Sequence, residues 1–128
     1  MSVIVVNMIP LSMSGETNQD SEPNLAVNPA NAHDIVATAF TPAPLGGSFA
    51  PIYVSTDGGS SWSLNTIVPG NGSFGTDDIT VAFGTGSGVL YAGTLNGTTV
   101  DLNILRTASF TASTPMTVLE NRASEDQP

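Results

Sequence analysis

Five carboxylates stand where successive runs of short apolar segments begin: Glu22, the pair Asp77 and Asp78, and the pair Glu125 and Asp126. Gathered at one end of a β stack, they would offer hard oxygen ligands to a cation such as Ca²⁺, or acceptors to sugar hydroxyls. As solvated acids at strand entrances they would instead accept turn N–H groups. No Asp-x-Asp-x-Asp-Gly loop accompanies them, so a dedicated calcium loop is not indicated. His33 is the only histidine and sits in a turn-like stretch, Ala30-Asn31-Ala32-His33-Asp34. One imidazole cannot build a histidine-rich zinc site. Serines are plentiful, but no nucleophile-elbow sequence surrounds any of them. Phe49 and Phe74 lie in Gly/Ser-rich stretches and are candidates for stacking on a sugar ring. These residues assemble no catalytic constellation, and apart from Ca²⁺ at the acids no cofactor is indicated.

The charge balance removes whole classes of function. Of 128 residues only 10% are charged, against about 25% in an ordinary domain. Arg106 and Arg122 are the only basic residues, lysine is absent, and eleven acids bring the net charge to -9. A nucleic-acid partner is excluded, because binding phosphates needs cations to displace their counterions. Adhesion to an anionic membrane surface fails for the same reason. A P-loop is excluded by the missing lysine. With no cysteine, disulfides, thiolate metal sites and thiol nucleophiles are excluded too. No apolar run approaches the roughly 18 residues of a membrane-spanning helix, so no membrane insertion is expected. No basic stretch precedes the apolar start at Val3-Ile4-Val5-Val6, so no secretory signal is visible. The lack of cysteine still favours an extracellular or surface-exposed bacterial setting.

The elements that must position these residues are strands. The apolar pattern has period two over 2–8, 24–27, 35–40, 52–55, 63–68, 79–83, 89–94, 99–106 and 116–120. Turn chemistry separates the runs, as in Asn28-Pro29, Asp57-Gly58-Gly59, Asn71-Gly72 and Asn96-Gly97. Many short strands with Gly/Asn turns predict an all-β fold. An internal repeat narrows it. Ser21-Glu22-Pro23-Asn24-Leu25-Ala26-Val27 matches Thr76-Asp77-Asp78-Ile79-Thr80-Val81-Ala82: a hydroxylated residue, an acid, then a strand. Ser124-Glu125-Asp126 opens the same way. A period of about 50 residues carrying four strands is the size of a propeller blade. The expected organisation is a leading strand and linker over 1–19, a first blade over 20–75, a second over 76–123, and the start of a third at 124–128. The fold class is thus a β-propeller segment of about two four-stranded antiparallel blades, incomplete alone.

One motif is specific. Ser55-Thr56-Asp57-Gly58-Gly59-Ser60-Ser61-Trp62 satisfies Ser-x-Asp-x-Gly-x-x-Trp at every fixed position, and through it the chain resembles the Asp-box (BNR repeat), sialidase-like β-propeller family. The physics of this motif is structural. Gly58 and Gly59 supply positive φ, Asp57 accepts turn N–H groups, Ser55 adds a hydroxyl bond, and Trp62 pins the turn onto the blade. The second repeat lacks the motif: Leu105-Arg106-Thr107-Ala108-Ser109-Phe110 stands in its place.

The resemblance implies a fold more firmly than an activity. Sialidases grip a substrate carboxylate with three arginines, and this chain has two; Met8 stands where the first would fall, in Asn7-Met8-Ile9-Pro10. Neutral residues cannot rebuild a bidentate grip. The expected function is therefore a non-catalytic module for glycan or protein binding, or a structural part of a larger assembly. The alternatives are the N-terminal part of a sialidase-like glycoside hydrolase and a two-blade lectin that closes a ring by trimerising. A ring needs about 4–8 blades, so the missing ones are expected from a longer chain or from a homo-oligomer.

Overall fold

The computed structural model describes residues 3, 5–7, 21–40, 49–69, 78–96 and 101–123. They form eight strands and, among the described residues, no helix. These are β1 (Ser21–Val27), β2 (Ile35–Phe40), β3 (Phe49–Ser55), β4 (Ser63–Pro69), β5 (Ile79–Phe83), β6 (Leu90–Asn96), β7 (Asp101–Thr107) and β8 (Thr117–Ala123). They build two four-stranded antiparallel sheets in sequence order, β1-β2-β3-β4 and β5-β6-β7-β8. The chain is all-β and unclosed, a two-blade propeller-like segment. The expected leading strand falls largely outside the described residues; Val3, Val5 and Val6 within it are exposed.

The sheets stack because each carries one apolar row on alternate residues. In the first, Val36, Ile52, Val54 and Val68 form that row, joined by Ile67 beside the β3–β4 register shift; the second answers with Ile79, Val81, Leu90, Ala92 and Leu105. All ten are buried, and removing such area from water is the main stabilising term. The edges of this interface are stitched by hydrogen bonds. The Val81 N–H donates to Asn24 Oδ1 at 2.9 Å and the Thr38 hydroxyl to the Ile79 carbonyl at 3.4 Å. At the outer end the Met116 N–H donates to the Ile67 carbonyl at 2.8 Å.

The stacking moves the repeat register by one residue from the hydroxyl–acid alignment. Asn24 and Ala26 face the second sheet, whereas Ile79 and Val81 face the first. Consecutive blades meet front to back, so the counterparts of Ile79 and Val81 are Leu25 and Val27. The opposite face of the second sheet carries Thr80, Ala82, Tyr91, Gly93 and Ile104 around a shallow, almost wholly apolar hollow of about 170 Å³. Its counterpart in the first sheet is the fully covered row of Val36, Thr38 and Ile52. Tyr91 is instead 37% exposed. At the far end β8 is exposed along all seven residues, with a Glu120–Arg122 ion pair at 3.6 Å.

Candidate functional site

The turn between β3 and β4 is built from the residues the motif names. Ser55 ends β3 almost fully buried. Its hydroxyl donates to Asp57 Oδ1 at 2.8 Å and accepts the Gly59 N–H at 2.8 Å and the Asp57 N–H at 3.4 Å. Asp57 faces forward as well: Oδ1 accepts the Ser61 N–H at 2.9 Å and Oδ2 the Ser61 hydroxyl at 2.6 Å. The Ser61 hydroxyl first, then the Ser61 N–H and the Ser55 hydroxyl, stabilise the charged form and lower the Asp57 pKa to about 2. A general acid needs a proton near neutral pH, so this geometry makes Asp57 a turn-holding acceptor. Gly58 and Gly59 sit at φ 73° and 88°, where a Cβ collides with backbone. The Trp62 indole N–H donates to the Gly59 carbonyl at 3.0 Å, closing the turn. His33 takes part through its backbone, its carbonyl accepting the Gly58 N–H at 3.0 Å.

Of the five acids, the structure brings Glu22 and Asp78 together across the two sheets. β1 is irregular between Ser21 and Asn24, and Glu22 lies there at φ 53°, a left-handed conformation rare outside glycine. A side-chain hydrogen bond to Asp78, then the repulsion of its charge, raises the Glu22 pKa. Asp77, Glu125 and Asp126 lie outside the described residues, as do Phe74 and the side chain of Phe49. Among the described residues no group of three or more acids or histidines is placed to hold a metal ion.

Two features had no signal in the motif. Asn28 fastens the β1–β2 turn, with its side-chain N–H donating to Asp34 Oδ2 at 3.1 Å and Oδ1 accepting the Ala30 N–H at 2.9 Å. Asn65, on β4, reaches across to the turn after β7. Its Nδ2 donates to the carbonyls of Phe110 at 2.7 Å and Ala112 at 2.8 Å. Beside this clamp lies a groove of about 360 Å³ whose walls include Thr56, Ser61, Trp62, Ser63 and Asn65 from the first sheet and Thr111 from the second. Nothing in the sequence marks it: Asn65 is one more polar residue within a strand, and its partners lie 45 and 47 residues away.

Fold and site together define an unclosed pair of propeller-like blades with a hydrogen-bonded Ser–Asp–Gly–Trp turn and a polar groove between the blades. Comparison with family models, curated proteins and solved structures finds no match for this chain.

Proposed function

We propose that this chain is a non-catalytic, sialidase-like β-propeller module that binds a glycan or protein and whose ring is completed by further blades. The observation that carries it is the apolar face of β5–β7. In the first sheet the equivalent face is sealed by β5 and its neighbours; in the second, Tyr91, Ala82 and Ile104 meet no such layer among the described residues. A further strand layer of a propeller would cover this face. Two arginines, one of them beside Glu120, do not make the carboxylate grip of a sialidase, which supports a binding role over a hydrolytic one.

Light scattering on the full chain, alone and with Tyr91→Glu, tests the assembly half. A mass above one chain that falls in the variant is expected; a 13.1 kDa monomer at all concentrations overturns completion by copies, including the trimeric lectin. A glycan array tests the binding half, and turnover of a fluorogenic sialoside would overturn the non-catalytic reading.

A further inference from the structure

We infer that the groove between the two blades, beside Trp62, is a binding site for an uncharged sugar unit; this rests on the glycan half of the reading above. At about 360 Å³ it lies within the roughly 300–1,000 Å³ range of small-molecule sites. Its wall chemistry suits a polyol. Thr56, Ser61, Ser63 and Thr111 bring four hydroxyls to one half-buried indole, and sugars are recognised by hydroxyl pairing together with an apolar ring face on an aromatic.

The polar groups are pre-set. The Ser61 hydroxyl spends its proton on Asp57 Oδ2 at 2.6 Å, and the Ser63 hydroxyl donates to the Val54 carbonyl at 3.4 Å. Both oxygens are thereby left as acceptors for ligand hydroxyls. Asn65 fixes the opposite wall through its bonds to Phe110 and Ala112, so the groove is formed before any ligand arrives, which lowers the ordering cost of binding. No lysine, arginine or histidine lines it, while the Asp57 carboxylate lies directly behind Ser61. An acidic sugar would meet repulsion and no counter-charge, so selection runs toward neutral saccharides.

Trp62 is the chain's only tryptophan, so emission excited at wavelengths that Tyr53 and Tyr91 do not absorb reports on this groove. The experiment titrates lactose, maltose and N,N′-diacetylchitobiose, with 3′-sialyllactose as the charged arm, into wild type and Thr111→Leu. Thr111 is exposed and outside the Asp57 turn, so the variant leaves the melting temperature unchanged. The expected result is a saturable emission change with at least one neutral disaccharide, weaker with sialyllactose, and about tenfold weaker in Thr111→Leu, the scale of one or two lost polar contacts. Glycan binding on the array with unchanged Trp62 emission, or equal affinity in Thr111→Leu, overturns the groove and leaves the glycan reading standing. A blank array together with flat titrations overturns both.

Discussion

Ser55 and Thr107 end the third strand of their sheets at the same register, opposite Ile35 and Leu90. Each hydroxyl oxygen accepts the N–H two residues on, from Asp57 at 3.4 Å and from Ser109 at 3.1 Å. From there the two turns diverge. The first closes on itself through Asp57, two left-handed glycines and the Trp62 indole. The second has no aspartate and no glycine; it buries Phe110 edge-on to Phe83, ring centroids 5.3 Å apart at 83°, and lends two carbonyls to Asn65 of the other sheet. One turn is held by hydrogen bonds within its own sheet, the other by Phe83 of its own sheet together with Asn65 of the neighbouring one. The second turn does without an aspartate, a glycine or an indole because Phe83 and Asn65 anchor it.

That contrast can be broken by substitution. Phe110→Ala has the largest expected effect, a loss of about 3–5 kcal/mol for a buried aromatic, read by chemical denaturation; a loss below that of an ordinary surface change would show that the second turn does not rest on the Phe110–Phe83 contact. Asn65→Ala follows, at about 1–3 kcal/mol for two hydrogen bonds. Hydrogen exchange should quicken at Ala112 and Met116 and stay unchanged at Gly59 and Ser61. Equal quickening in both turns would mean that they are not independent. Gly59→Ala reverses the pattern, costing about 1–2 kcal/mol for a left-handed Ala and loosening only the first turn.

The smallest effects come from acid titration, and the two shifts have opposite signs. The lowered Asp57 pKa contributes stability that is present above about 3.8 and lost as pH falls toward about 2. The raised Glu22 pKa contributes below 4.5 and is lost as pH rises through the higher folded value. Asp57→Asn should therefore flatten the acid limb of a melting-temperature profile. Glu22→Gln should raise the melting temperature slightly at neutral pH and leave it unchanged in acid. A Glu22→Gln gain confined to acid would contradict the cross-sheet pairing of Glu22 and Asp78.

Local features were the legible ones. β2 and β5 fall on the residues that their alternation and flanking turns mark, and the Ser55–Trp62 turn makes the bonds its residue types dictate. The two-sheet architecture follows from the repeat. What escaped was everything that depends on the partner sheet. Asn24, Thr38 and Asn65 read as unremarkable polar residues within strands, because their partners lie 57, 41 and 45 residues away. The one-residue offset between the blades escaped for the same reason: a hydroxyl followed by an acid marks a strand entrance without saying which face the next side chain takes. Phe110 read as the residue left by a missing motif, and its burial against Phe83 shows a substitute anchor.

β8 gives the scarcity of positive charge a further meaning. It is the outermost strand, exposed throughout, with Val118 and Leu119 about half open to water. A bare edge of this kind is a template on which another chain can add a strand. Glu120 and Arg122 interrupt it with opposite charges two residues apart, a pair that adds little to folding but that an incoming strand would have to desolvate. Removing one of the chain's two cations, as in Arg122→Ala, is therefore expected to register in solubility before it registers in any melting curve.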